Sequence, residues 1–218
     1  MEKNFWLDRW QQGLIGFHQE QVNPYLVQNW LKCGAQAGDK VLVPLCGKSK
    51  DMVWLHQQGM QVRGVDLSEM AVEAFFAENN LPAQQDVFGH FSRWRAPGYE
   101  LLCGDFFNVM PDDTQRDHFV YDRASLIALP PDMRQKYAKH LSGLLVPGSK
   151  VLLVTMEYPQ HEMQGPPFSV HENEVRKLYS DKFNIEKVGR VDVLSESPRF
   201  RERGLSQMIE TTYILIRK

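Results

Sequence analysis

Several features that mark other classes of protein are scarce or missing in this sequence of 218 residues. The three cysteines, Cys33, Cys46 and Cys103, show no CxxC spacing, so the sequence predicts neither a disulfide framework nor a thiolate zinc site. No stretch approaches the roughly 20 apolar residues that span a bilayer, and "MEKNFWLDRWQQG" has no apolar run after a basic start. We therefore expect a cytoplasmic protein with reduced, buried thiols, no membrane partner and no bound metal.

An excess of basic charge is also missing. Lys and Arg number 25 against 27 for Asp and Glu, which gives a formal net charge of −2. This balance disfavours binding of nucleic acid through counterion release and favours a small-molecule partner. With modest charge and no apolar helix that would be left exposed, we expect a monomer.

What the sequence does contain is an alternation of short apolar runs with helix-like segments. The strand-like runs are "KVLVPL", "QVRGVDLS", "YELLCGDFF", "HFVYDRASL" and "SKVLLVTMEY". This alternation predicts an α/β fold of the Rossmann-like type, with a doubly wound and mostly parallel sheet. After Tyr158, "FNIEKVGRVDVL" and "SQMIETTYILIRK" have no full crossover between them, so we expect them to form an antiparallel hairpin at one edge.

The predicted organisation is a single domain over residues 1–218, a length that one core can serve. Residues 1–35 are expected to form an aromatic-rich, partly helical cap, and residues 36–218 the core. Within the cap, "NPYLVQNWLK" has the start signals of a helix, because Asn23 can cap it and Pro24 takes its first position.

The turn after the first strand, "PLCGKSK", is the first candidate for ligand binding, because ligands of open α/β sheets lie beyond the carboxyl ends of the strands. A dinucleotide would need several glycines for close approach to its pyrophosphate, and only Gly47 is present. A Walker A loop would need a first glycine where Val41 or Leu42 stands. Both NAD and ATP are therefore disfavoured.

Asp66, which ends the second predicted strand, points to a ribose. A carboxylate about 20 residues after the first turn can accept hydrogen bonds from both ribose hydroxyls. Ser68 can cap the following helix, which would leave the Asp66 carboxylate free. A ribose-bearing ligand without phosphates is S-adenosylmethionine. Asp105 is placed to contact its adenine and Phe106 to stack on it, although "GDFF" reads equally well as a turn with two core aromatics.

Six segments together carry a resemblance to a known family: "FWLDRWQQGLIGFHQEQVNPYL", "VLVPLCGKSKDMVWL", "GVDLSEMAVEAFF", "CGDFF", "YDRASLIALP" and "GPPFSV". They span most of the chain and resemble the bacterial branch of the thiopurine S-methyltransferase family. The resemblance implies a class I S-adenosylmethionine-dependent methyltransferase that acts on the sulfur of aromatic and heterocyclic thiols such as 6-mercaptopurine. Bacterial relatives are also associated with selenium and tellurium species.

Carried over to this sequence, the resemblance implies specific cofactor contacts. Family members usually have Glu where this chain has Asp66, and the shorter carboxylate requires a closer backbone. Arg199 is the best match to a family arginine near the substrate, with Arg201 and Arg203 as rivals. The implied cofactor contacts are Trp10, Leu45, Asp66 and Arg123, and the residues lining the same pocket are Trp6, Phe17, Asp105 and Phe106.

These residue types suit methyl transfer to a thiol. The nucleophile must be a thiolate, close and aligned, and an arginine beside it lowers its pKa, which makes Arg123 and Arg199 the candidate catalytic groups. Phe17 and Phe168 would form a slot for a flat ring. Trp6 or Trp10 could face the sulfonium in a cation–π contact, and the cap and the "GPPF" loop would close over the substrate.

Simpler interpretations exist for several of these residues. Trp6 and Trp10 lie at i and i+4 and fit the buried face of a helix, although the family match favours the cofactor role. Arg123 after Asp122 fits a surface ion pair, although its place at the carboxyl end of a strand argues against this. Cys46 has no base placed beside it by the sequence, which favours a small buried residue over a nucleophile. For the whole chain, the alternatives are an NAD-dependent oxidoreductase and a non-catalytic sensor of S-adenosylmethionine.

Overall fold

The computed structural model describes residues 3–114 and 117–218. Within them, the strands form a nine-stranded mixed sheet with helices packed around it, and the chain divides into two compact units, Met1–Tyr121 and Asp122–Lys218. The predicted fold class, a mostly parallel α/β core with an antiparallel C-terminal hairpin, is confirmed. None of the helices in the described ranges is long and apolar enough to cross a membrane.

The first unit carries the parallel part of the sheet. Its strands run in the order β3-β4-β5-β2-β1-β6; β1 pairs in parallel with β2 and β6, and β2 pairs in parallel with β5. The elements are α1 (Lys3–Gln11), α2 (Pro24–Asn29), β1 (Lys40–Pro44), α3 (Lys50–Gln57), β2 (Gln61–Asp66), α4 (Glu69–Glu78), β3 (Gln84–Phe88), β4 (Phe91–Ala96), β5 (Tyr99–Cys103) and β6 (Phe119–Arg123).

The second unit carries the antiparallel part. β9 pairs antiparallel with β7 on one side and with β8 on the other, which confirms the predicted C-terminal hairpin. Its elements are α5 (Pro131–Leu144), β7 (Lys150–Glu157), α6 (Glu172–Tyr179), β8 (Phe183–Asp192), α7 (Pro198–Glu202) and β9 (Ile209–Arg217).

The antiparallel hairpin of β3 and β4 is a feature that the sequence patterns missed. β3 is mostly exposed, so it has no apolar run to reveal it. Its contacts with β4 are polar: the Arg93 guanidinium donates to both carboxylate oxygens of Asp86 at 2.8 and 2.7 Å, and Arg95 reaches the same carboxylate at 3.0 Å. Cross-strand ion pairs of this kind stabilise an exposed strand that gains little from the burial of apolar side chains.

Side-chain caps fix where the helices near the site begin. The Asn23 side chain accepts from the backbone N–H groups of Tyr25 and Leu26, and Pro24 opens α2 as predicted. The Asn23 backbone N–H donates to the buried carboxylate of Asp51 at 2.7 Å, and the Tyr121 hydroxyl donates to the same carboxylate at 2.9 Å. Through the Asp51 carboxylate, these two hydrogen bonds connect the start of α2 to α3 and β6.

Candidate active site

The turn after β1 places backbone groups at the carboxyl end of the parallel strands. Leu45 (φ 47°) and Gly47 (φ 52°) both lie in the left-handed region, which is costly for leucine and easy for glycine. The Cys46 N–H donates to the Val65 carbonyl at 3.0 Å, and Ser49 then caps α3 through the Asp51 N–H at 3.2 Å. The turn is thus pinned to β2 on one side and to α3 on the other.

Gly47 is where the N-terminal cap meets this turn. A Cβ built on Gly47 would lie 3.2 Å from the Trp10 ring, so the absence of a side chain lets the indole pack against the backbone. Trp10 is 7% exposed. The single glycine of the turn therefore serves a close approach, as expected, but the group that approaches in this structure is a tryptophan of the cap.

The Asp66 carboxylate at the end of β2 is held by two backbone donors. Its Oδ2 accepts from the Gly47 N–H at 2.7 Å, and its Oδ1 accepts from the Ser68 N–H at 2.9 Å. The expectation that Ser68 would leave this carboxylate free is wrong, although Ser68 does cap α4 through the Ala71 N–H at 3.3 Å. A carboxylate has about four acceptor directions, so two hydrogen bonds leave capacity for two hydroxyls.

Burial sets the electrostatics of Asp66. Desolvation raises the pKa of this carboxyl above its usual range, and the N–H groups of Ser68 and Gly47 partly offset the rise. The same burial, with the Asp66 charge close by, raises the pKa of Cys46 well above that of an ordinary thiol. Cys46 therefore stays protonated and does not act as a nucleophile.

The cysteines agree only in part with expectation. Cys33 and Cys46 are buried, but Cys103 is half-buried, which corrects the prediction of three buried thiols. Cys103 ends β5 on the side next to Asp66, its register partner on β2. Burial raises its pKa to about 12, so it too remains a thiol.

The aromatic cap forms a connected cluster. Phe17 makes edge-to-face contacts with both Trp6 and Trp10, with ring centroids 5.7 and 5.6 Å apart. α1 places Trp6 and Trp10 one turn apart on the same side of the helix. The helix-face interpretation of the two tryptophans thus holds for Trp10, which is buried, while Trp6 is half-buried.

Asp105 and Phe106 follow β5 at the same edge of the sheet as Asp66. The Asp105 Oδ1 accepts from the Phe107 N–H at 3.0 Å, and its Oδ2 pairs with the Lys3 ammonium at 2.8 Å. Phe106 is 5% exposed, the burial that the core-aromatic interpretation expects. The ion pair to Lys3 was not anticipated, because the two residues are about a hundred positions apart in the sequence.

Arg123 is the last residue of β6, whose final two residues belong to the second unit, and is half-buried. Asp122 before it is only 1% exposed and its Oδ2 accepts from the Tyr137 hydroxyl at 2.7 Å. The interpretation of Asp122 and Arg123 as a surface ion pair is therefore wrong for Asp122. Ala124 after them has φ 65°, a strained conformation for a residue with a Cβ.

Phe168 belongs to a loop that the second unit holds at several points. Its N–H donates to the Ile127 carbonyl at 2.7 Å, and the Arg134 guanidinium carbon lies 5.7 Å from its ring centroid. The Tyr158 hydroxyl donates to the Pro167 carbonyl at 2.6 Å. Arg134 is itself buried and paired with Glu174 at 2.7 Å, so the Phe168 ring has a fixed support that the sequence did not reveal.

Arg199 and its rivals occupy the short helix α7 and the residue after it. Arg199 and Arg203 both approach the Phe200 ring, at 5.9 and 6.0 Å from its centroid, and the Arg203 Nη1 lies 3.8 Å from the Met163 sulfur. Arg199, Arg201 and Arg203 are all exposed. Their positions do not separate the three candidates.

The predicted site residues therefore fall into two sets. The first unit brings the cap aromatics and the strand-end residues around Gly47 and Asp66. The second unit carries Arg123 at the end of β6, Phe168 in a loop that Arg134 and Tyr158 support, and Arg199 on α7. The members of the first set are Trp6, Trp10, Phe17, Leu45, Asp66, Asp105 and Phe106.

Comparison with solved structures defines the class of the fold. Magnesium protoporphyrin IX methyltransferase from Synechocystis PCC 6803, solved with bound S-adenosylhomocysteine, superposes with a TM-score of 0.68 at 17% identity and covers 100% of each chain. The 1,6-didemethyltoxoflavin N1-methyltransferase of Burkholderia thailandensis, also solved with S-adenosylhomocysteine, gives a TM-score of 0.66 at 16% identity over 99% of this chain and 87% of that one. The fold is that of a Rossmann-like class I methyltransferase.

Sequence comparison gives the family. The thiopurine S-methyltransferase family model matches residues 1–218, and this chain belongs to that family. Thiopurine S-methyltransferase of Nitrosospira multiformis is 48% identical over 216 residues, covering 99% of this chain and 98% of the relative. That of Pseudomonas paraeruginosa is 50% identical over 217 residues, covering both chains in full. The resemblance inferred from the six segments is confirmed.

Proposed function

We propose that this protein transfers the methyl group of S-adenosylmethionine to the sulfur of aromatic and heterocyclic thiols, thiopurines such as 6-mercaptopurine among them. Family membership supports the reaction class, and the arrangement around Asp66 supports the cofactor. We extend the proposal to selenium and tellurium species, because selenolates and tellurolates are soft nucleophiles of the same kind as thiolates.

The observation that carries this proposal is the carboxylate of Asp66, fixed 2.7 Å from the Gly47 N–H at the end of β2. Two backbone donors orient it, and its remaining acceptor capacity suits the two hydroxyls of a ribose. The turn provides no row of glycines for a pyrophosphate. A ligand with a ribose and no phosphate fits this set of donors and acceptors, and S-adenosylmethionine is such a ligand.

When bound, S-adenosylmethionine supplies an electrophilic methyl group on a sulfonium. Leu45, Asp66, Asp105 and Phe106 are the proposed contacts to it in the turn and beside β2 and β5. Trp6 and Trp10 are proposed to face a positive charge in the cap, where a cation–π contact contributes roughly 0.5–2 kcal/mol. Because that charge disappears on transfer, the contact favours the reactant over the product.

The acceptor needs positioning more than proton abstraction. Heteroaromatic thiols ionise near or below neutral pH, so a guanidinium that stabilises the thiolate is sufficient. We assign this role to Arg123 and Arg199 and also propose Arg123 as a cofactor contact. Phe17 and Phe168 are the proposed apolar walls for the flat ring, and the support of Phe168 by Arg134 suits a wall that must keep its orientation.

The test is transfer of label from methyl-labelled S-adenosylmethionine to 6-mercaptopurine, thiophenol, a hydroxy analogue and a selenol. We expect labelled thioether and selenoether and no product from the hydroxy analogue. Arg123→Ala should lower turnover, whereas Arg199→Ala should raise the KM for thiol with cofactor affinity unchanged. Binding of cofactor without transfer to any acceptor would instead support the sensor alternative and overturn the proposal.

The same proposal includes the setting in which the protein works. We propose a cytoplasmic monomer in which residues 1–218 act as one methyltransferase domain, without nucleic acid or membrane partners. The near-neutral charge balance supports this. Sedimentation at a series of concentrations tests the monomer, and a mass of two chains would contradict it.

A further inference from the structure

A buried carboxylate lies directly before Arg123 and has no part in the function proposed so far. Asp122 is 1% exposed, and its Oδ2 accepts from the Tyr137 hydroxyl at 2.7 Å. In the described part of the chain no group donates to its Oδ1 at hydrogen-bond geometry. A buried carboxylate is costly to keep ionised when one of its oxygens accepts no hydrogen bond.

The chain after Asp122 forms a strained turn that carries Arg123. Ala124 adopts φ 65°, a left-handed conformation that a residue with a Cβ keeps only where its surroundings hold it. The hydroxyl and N–H of Ser125 and the N–H of Leu126 stabilise the Asp122 carboxylate. The negative charge of Asp122 thus acts on the backbone that immediately follows Arg123 and opposes relaxation of the turn.

Two tyrosines face Asp122 from the helices packed against it. Tyr137 on α5 donates to it, and Tyr179 on α6 is close enough for the Asp122 charge to raise its pKa. The Tyr179 hydroxyl is buried without a hydrogen-bond partner among the described residues. Ser125 also acts on the carboxylate, and none of these three described side chains carries a positive charge.

We propose that Asp122 is the positioning residue for Arg123: its ionised carboxylate, oriented by Tyr137, holds the Asp122–Leu126 turn so that the guanidinium stays in place for the thiolate. This inference rests on the proposed role of Arg123. A protonated Asp122 is a weaker acceptor for the N–H groups of Ser125 and Leu126. Protonation therefore releases the turn and lowers turnover.

Burial sets the pH range over which Asp122 loses its proton. Desolvation raises the pKa of Asp122 from 3.8 to about 6. Because the folded pKa exceeds the unfolded one, the contribution of this group to stability is full below pH 3.8 and is lost as pH rises through about 6. Acidification through pH 6 should therefore lower activity while this group makes the fold more stable, and a purely structural role would not give these opposite signs.

The test measures kcat/KM for two aromatic thiols of different pKa between about pH 5 and 8, which brackets the Asp122 range. We expect half of the activity to be lost near pH 6 with both thiols. Tyr137→Phe removes a donor to the charged form and should shift that midpoint upward by about one pH unit. Tyr179→Phe, which removes a hydroxyl without a hydrogen bond to Asp122, is the matched control and should leave the midpoint in place.

Asp122→Asn provides the second readout, because it keeps the shape and removes the charge. We expect turnover at pH 8 to fall about tenfold, with an unchanged or higher Tm at pH 7, and no additional loss when it is combined with Arg123→Ala. A midpoint that follows the pKa of each thiol, or equal shifts in Tyr137→Phe and Tyr179→Phe, would overturn the inference alone. No transfer by the parent protein at any pH would overturn the proposed function and this inference with it.

Discussion

Asp66 in the first unit and Asp122 in the second are both buried carboxylates at the ends of parallel strands, yet their surroundings differ. Asp66 is held by backbone N–H groups of the two turns beside it, whereas Asp122 also accepts from side-chain hydroxyls, chiefly that of Tyr137 on α5. Asp66 also keeps more exposure, 9% against 1%. This difference matches the two roles that we propose, with Asp66 as the acceptor for the ribose hydroxyls and Asp122 as the residue that positions the turn after it.

Of the substitutions considered, removal of the Asp66 carboxylate should weaken cofactor binding most. We expect Asp66→Ala to weaken binding of S-adenosylhomocysteine about 10- to 100-fold, because hydrogen bonds to a charged group contribute about 1.5–3 kcal/mol. Calorimetric titration measures this, with Asp181→Ala, whose side chain is 85% exposed, as the control that keeps cofactor affinity. Parent-like binding by Asp66→Ala would exclude the ribose assignment.

Filling the space at Gly47 should have a smaller effect. Gly47→Ala places a Cβ in a left-handed conformation and 3.2 Å from Trp10, so we expect a loss of about 1–2 kcal/mol of unfolding free energy together with weaker cofactor binding. Gly148→Ala is the matched control, because Gly148 also has a positive φ (86°) but no atom within 4 Å of the added Cβ. Equal losses of cofactor affinity in both variants would show that the contact with Trp10 is unimportant.

The smallest effect is expected from the ion pair between Lys3 and Asp105. The Lys3 side chain is 61% exposed, and exposed pairs contribute about 0–1 kcal/mol. Lys3→Gln should therefore speed release of S-adenosylhomocysteine only a few-fold at low salt, measured by stopped-flow fluorescence, and the difference from the parent should disappear at high salt. A difference that persists at high salt would contradict an electrostatic origin.

The sequence predicted the parts of the fold that local chemistry determines. The buried strands reveal themselves as apolar runs, and the starts of α2 and α4 follow from Asn23 and Ser68. The hairpin of β3 and β4 was missed because polar pairs, not burial, support it. A strand can be predicted from the local sequence only where burial imposes an apolar pattern on it.

The candidate site follows the same division. The position of Asp66 could be predicted because it depends on the spacing between a first turn and a second strand. The contact of Trp10 with Gly47, the pair of Lys3 with Asp105 and the bond of Tyr137 to Asp122 join residues far apart in the sequence. Such contacts depend on how the helices pack against the sheet, and a local sequence pattern does not predict that packing.

The most direct test of the ribose assignment compares binding of S-adenosylhomocysteine with binding of its analogue lacking both ribose hydroxyls, for the parent protein and for Asp66→Ala. If Asp66 binds the ribose, the parent strongly prefers the hydroxylated ligand and Asp66→Ala loses this preference, so the two changes are not additive. An equal preference in both proteins would contradict the claim that Asp66 binds the ribose.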